Sequence, residues 1–170
     1  MAYSELLRAT VFLSAAGATA LAALSIIGIA RAGGDLVIVV ALVWWFAAAA
    51  IGITLGSAGR VEEGLRRTLA EARTAPTSGP GVSLPSPGRI AFGRTWPILL
   101  AVGLAGALGV FFPEVAVIAS GYSLLVALAW RNRESAVLAI ERRDGVRFLV
   151  ESGSALRPVR LLRSPGFSEF

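Results

Sequence analysis

Cysteine, histidine, lysine and glutamine are all missing from this 170-residue chain, and asparagine occurs once, as Asn132. Without cysteine there is no disulfide and no thiolate chemistry, and the usual ligands for zinc and haem are missing too. The same absences remove an imidazole acid–base and a Schiff-base lysine, so no cofactor is expected. Charge is also scarce, at 16% of residues, against about 25% in an ordinary soluble domain. Nothing matches a phosphate-binding loop, a dinucleotide fingerprint, a metal-ligand spacing or a nucleophile elbow. Gly79-Pro80-Gly81 is only a fragment in a Pro/Ser/Gly-rich stretch. Sixteen arginines without one lysine point to a GC-rich genome, and a bacterial source is expected.

What the chain has instead is apolar bulk. Hydrophobic residues make up 55%, and the mean hydropathy is +0.71. Much of this is gathered into blocks. Thr10 to Ala30 and Leu36 to Gly56 each run 21 residues without a charge. At about 1.5 Å per residue each makes roughly 31 Å of helix, enough for a hydrocarbon core of about 30 Å. Pro97 to Trp130 covers 34 residues, interrupted by Phe112-Pro113-Glu114. Proline cannot continue a helix comfortably, so a tight turn is expected there between two short arms. A single bent re-entrant element is the alternative for this region. The fold class is therefore an all-α integral membrane protein of four transmembrane helices, arranged as two hairpins. Residues 1–56 form the first hairpin and 96–133 the second.

Arginine sets the orientation. Arg31 lies alone between the first two blocks, and the other fifteen arginines fall before the first block, between the second and third, or after Trp130. The positive-inside bias then places both termini and the middle segment in the cytoplasm, with the chain in the plasma membrane. Trp96 and Trp130 flank the second hairpin at headgroup level, whereas Trp44 and Trp45 fall mid-span as packing or lipid-facing bulk. Ala18-Thr19-Ala20 has the small-x-small form of a leader cleavage site. The apolar run continuing through Ile26, Ile27 and Ile29 is too long for a leader and favours a retained span.

Lipid tails are as apolar as leucine, so helices associate in the membrane through small residues that let backbones approach. Each block carries such a stripe at a spacing of four. These are Ser14, Ala18 and Ala22; Ala48, Gly52 and Gly56; Ala101, Ala105 and Gly109; and Ala119, Ser123 and Ala127. Ionisable groups, on which proton relays and coupled ion sites depend, are absent from the four blocks. The polar side chains there are Ser14, Thr19, Ser25, Thr54, Ser120, Tyr122 and Ser123.

The intervening segments carry the charge. Ser57 to Arg73 reads as an amphipathic helix, with Val61, Leu65, Leu69 and Ala72 on one face and Glu62–Arg66 and Glu63–Arg67 as four-apart pairs. It is expected on the membrane surface or as a solvated extension of the second span. Thr74 to Gly88 reads as a flexible linker. Ala136–Ile140 and Val146–Val150 flank Asp144-Gly145 and predict a β-hairpin, with Ile140 opposite Phe148 and Glu141 opposite Arg147. Val159 to Arg163 is a third candidate strand. Such a small sheet is marginal in water and should lean on a neighbouring element.

Arg142, Arg143, Arg147, Arg157, Arg160 and Arg163 make a basic surface suited to an anionic leaflet or a protein partner. Basic residues interleaved with stacking aromatics are lacking, which disfavours nucleic acid. Three functions compete. The first is a non-catalytic scaffold, assembly or regulatory subunit. The second is a small oligomeric transporter, channel or lipid-handling protein, and the third is an enzyme using Glu134 or Asp144 at the boundary. The scaffold reading is preferred, in contact with the bilayer and with a protein partner or further copies of itself.

Overall fold

A backbone in hydrocarbon finds no water to satisfy its N–H and C=O groups, so long apolar runs become helices. The computed structural model describes residues 1–32, 35–70, 73–74, 87–150, 155, 159 and 161–165. Among these, the elements in chain order are α1 (Tyr3–Ala32), α2 (Asp35–Leu55), α3 (Ala58–Ala70), β1 (Arg73–Thr74), α4 (Pro87–Gly109), α5 (Pro113–Trp130), α6 (Arg133–Asp144), β2 (Val146–Val150) and β3 (Leu161–Pro165). Four helices among the described residues are long and apolar enough to cross a membrane, namely α1, α2, α4 and α5. Their outer faces carry the large apolar side chains that water would reject, such as Val43 and Phe46 on α2 and Leu100 and Leu104 on α4.

The chain divides into two units. The first, apolar unit comprises Thr10–Ser57 and Pro97–Arg131. Within it α2 and α5 are the most closely packed pair. Ile29, Ala41 and Val117 form a buried cluster, joined by Val37 and Trp44. The α4–α5 break falls at 110–112, where the Phe112 N–H donates to Leu108 O at 2.8 Å. Pro113 occupies the first turn of α5, where its missing N–H costs nothing.

The second, mixed unit gathers Met1–Ala9, Ala58–Trp96 and Asn132–Phe170. Its sheet has the order β1-β3-β2. Strand β3 pairs antiparallel with β2, with Val150 opposite Leu161 and Phe148 opposite Arg163. On its other edge β3 pairs parallel with β1, Arg73 facing Leu162. The N-terminus adds to the far side of β2: Ala2 bridges Leu149, and the Val150 N–H donates to Met1 O at 3.1 Å. Helix α3 packs on α6. Leu7, Val61, Leu65, Leu69, Val137, Ile140, Phe148 and Leu161 are buried in this unit.

Three expectations are corrected. The segment 136–140 is helix, not strand. Arg133–Asp144 is rich in helix formers, and its buried residues Val137 and Ile140 stand three apart, as a helix face requires. The Asp144-Gly145 pair closes that helix rather than a hairpin. Gly145 adopts φ 62°, ψ 34°, and its N–H donates to Glu141 O, a left-handed cap. Strand β2 therefore pairs with 161–165, and Glu141 takes a different partner, its Oε1 accepting from the Phe148 N–H at 2.8 Å.

Second, of the two settings expected for α3, membrane surface or solvated extension, the first needs a free apolar face, and Val61, Leu65 and Leu69 are instead buried within the mixed unit. Ala72 lies outside the described residues, as does 75–86 of the expected linker, although Thr74 belongs to β1 and Pro87–Gly88 to α4. Third, α4 begins ten residues before Pro97, which lies inside it. Proline's missing N–H deprives the Gly93 carbonyl of its helical donor. The Ala155 N–H supplies one instead, at 3.1 Å.

Candidate functional site

Small residues decide where the helices of the apolar unit meet. Ala48, Gly52 and Gly56 are buried along α2. A Cβ on Gly52 would stand 2.8 Å from Leu128 Cβ and 3.0 Å from Leu125 O, and one on Gly56 would strike the Leu128 carbonyl. These two glycines let α2 and α5 approach backbone to backbone. Ala18 is buried and Ala22 half-buried on α1; Ala105 is half-buried and Gly109 buried on α4, the latter with Ala116 of α5 against it. On α5, Ala119 and Ser123 are half-buried and Ala127 is buried. Ala101 is exposed.

Three further close approaches lie off the spacing-of-four stripes. Gly17 receives Val102, Gly28 receives Pro113, and Gly121 lies under the Trp44 indole. The two mid-span tryptophans are interhelical anchors. Trp44 Nε1 donates to Ile118 O at 3.2 Å, and its ring meets Tyr122 edge-on at 5.2 Å. Trp45 Nε1 donates to Ser120 Oγ at 2.8 Å, and that hydroxyl donates onward to Val117 O at 2.8 Å. A buried indole needs an acceptor. The paired sequence Trp44-Trp45 beside a span containing Ile118 and Ser120 was the available signal, but it names no partner.

An apolar groove of about 420 Å³ opens in the same unit, lined by Ser14 and Leu21 of α1, Val102 of α4, and Ile118, Tyr122 and Ser123 of α5, among others. Among the described residues, no charged side chain lines it. A volume of this size falls in the range of about 300–1,000 Å³ found for small-molecule sites.

In the mixed unit, Arg142, Arg143, Arg147 and Arg163 are exposed. Arg157 and Arg160 lie outside the described residues. Arg147 faces Ser164 and Arg163 faces Phe148 across the β2–β3 ladder, so on these adjacent rungs the two arginines leave opposite faces of the sheet. Arg143 Nε donates to Asp144 Oδ1 at 2.9 Å. That bond holds the Asp144 carboxyl below its ordinary value, and the charges of Arg143 and Arg163 act in the same direction. The Asp144 carboxylate is thus paired with the neighbouring Arg143. Between α3 and α6 a second depression of about 400 Å³ brings Glu62, Asn132, Ser135 and Arg143 to one rim. Among the described residues, no three carboxylates converge as metal ligands would.

No family model, no curated protein and no solved structure matches this chain. The class that can be stated is the architectural one: four membrane-length apolar helices in a chain that also builds a small mixed α/β unit.

Proposed function

We propose that this chain is a non-catalytic multi-pass membrane protein of the plasma membrane that presents its mixed unit to a partner protein. One observation carries this reading. The mixed unit is assembled from segments that adjoin all four spans, namely Met1–Ala9, Ala58–Trp96 and Asn132–Phe170. A bilayer cannot run through the core of one folded unit, so these segments lie on one side, and the chain crosses an even number of times between them. Fifteen of the sixteen arginines belong to that side, which supports a cytoplasmic placement. A unit joined through the chain to every span is retained at the membrane. Its exposed Arg142, Arg147 and Arg163, on more than one face of the unit, offer contacts for acidic partner surfaces or anionic headgroups.

Co-purification from native membranes in mild detergent tests the proposal. A stoichiometric complex with a second protein is expected, lost on Arg142→Glu/Arg147→Glu/Arg163→Glu while the fold persists. Recovery of homo-oligomers alone, with solute flux in liposomes, would overturn it in favour of a transporter. Reporter fusions at Asp35 and Gly79 check the sidedness, with Gly79 expected inside and Asp35 outside.

A further inference from the structure

The groove between α1, α4 and α5 holds a polar feature that its packing does not explain. Hydroxyls inside membrane helices ordinarily turn back on their own carbonyls. Thr19 does so to Ala15, Ser25 to Ala22, Thr54 to Ile51 and Ser120 to Val117, at 2.8–3.0 Å. Ser14, only 2% exposed, makes no such bond and lines the groove instead. Ser123 lines it from the α5 side, also without a side-chain hydrogen bond among the described residues. A hydroxyl that faces the groove without a partner is costly in hydrocarbon, where no water stands in.

The two serines share one end of the groove. Ser14 is four residues beyond Thr10 and Ser123 seven before Trp130, on the order of 6 and 10 Å along their helices. The opposite end is lined by Leu21, Val115 and Ile118. The site thus has a hydroxyl-bearing head end and an apolar tail end, opening sideways at Ala101, Ile118 and Tyr122, all exposed. Bulk acyl chains would fill the tail end and leave the serines unsatisfied. A charged headgroup would find no counter-charge among the lining residues.

We propose that this groove binds one uncharged lipid with a carbonyl or hydroxyl head, held by Ser14 and Ser123 with its hydrocarbon chain running toward Leu21. Diglyceride-like and quinone-like lipids share this chemistry. The proposal goes beyond the partner-presenting role and requires only that the four helices span a bilayer.

The test uses the full chain in nanodiscs containing, in turn, diacylglycerol, a long-chain isoprenoid quinone and phosphatidylglycerol, read by native mass spectrometry. One neutral adduct per chain is expected, from diacylglycerol, the quinone or both, and which of them binds identifies the source. Ser14→Ala/Ser123→Ala should weaken it about tenfold, the effect of losing hydrogen bonds to a buried group. Ala119→Leu, which fills the groove and keeps both serines, should also displace the adduct, and serves if the double variant fails to fold. Adducts unchanged in both folded variants would overturn the site. So would preferential retention of phosphatidylglycerol, or crosslinks showing a helix of another protein or of a second copy seated over Ala119.

Discussion

Trp45 and Ser120 form a two-step relay across the α2–α5 contact, and its two ends are not equivalent. Trp45→Phe removes the indole donor, yet Ser120 keeps its bond to Val117 O, so only the interhelical bond is lost. Such bonds are worth about 0.6 kcal/mol on average in a membrane protein and about 1.7 at most. With most of the ring's bulk retained, a loss of about 1 kcal/mol is expected. Ser120→Ala instead leaves the indole N–H, now 2.8 Å from its acceptor, with nothing to bond in a water-free setting. An orphaned buried donor costs about 1–3 kcal/mol. The smaller side-chain change is therefore the more damaging one. In the double variant no polar group is orphaned, so its loss should match that of Trp45→Phe alone. Reversible unfolding in mixed micelles of mild detergent and dodecyl sulfate, followed by far-ultraviolet circular dichroism, measures all four proteins. Single-variant losses that add to within about 0.3–0.5 kcal/mol would refute the relay.

Glycine substitutions on two helices should have opposite signs in the same assay. Gly52→Ala forces a methyl within 2.8 Å of Leu128 Cβ and 3.0 Å of a backbone oxygen, a loss of about 1–3 kcal/mol. Gly103 has nothing within 4 Å of an added Cβ, so Gly103→Ala should gain up to about 1 kcal/mol from helix propensity. Equal effects at the two positions would contradict the packing. Gly145→Ala places an L side chain at φ 62°, at a cost of about 1–2 kcal/mol. Gly145→Asn should recover part of that, with protease cleavage after Arg142 or Arg143 as the readout. Leu7, 1% exposed, should cost about 2–5 kcal/mol as alanine and loosen the mixed unit to proteolysis. Phe12→Ala, at a 64% exposed position, should leave that pattern unchanged.

The spans were readable because their signal is local. Twenty-one uncharged residues permit little besides a helix in lipid, and Pro113 fixes where the last two helices part. The residues that join those helices were only partly readable. A spacing of four finds Gly52 and Gly56, but it also selects the exposed Ala101 and passes over Gly17, Gly28 and Gly121. Whether a small residue meets a neighbour depends on which helix packs against it, whether near in sequence, as for Gly109 and Ala116, or far, as for Gly52 and Leu128. The misreading of 136–145 has a different cause. A hairpin turn and a helix cap both ask for a residue at positive φ, so Asp144-Gly145 satisfied either. The periodicity across Val137 and Ile140 was the better discriminator. Nothing in Met1–Ala9 announces that Ala2 will bridge Leu149, because a bridge partner is a property of the assembled unit.

The order of segments in the mixed unit constrains how the protein can be made. Strand β3 pairs with both β1 and β2, which do not pair with each other. Since β3 follows all four spans in the sequence, the sheet cannot close until the last span is in place. Until then α3, with its apolar Val61, Leu65 and Leu69, lacks the α6 helix against which it packs. Contacts this distant in sequence form late, since loop-closure entropy is lost before they contribute. A chain that skipped one crossing would strand a segment on the far side of the bilayer, leaving those leucines and Leu7 in water. The mixed unit therefore couples its own folding to the completed topology of the bundle. A correctly threaded chain buries these side chains, and a misthreaded one exposes them to proteolysis.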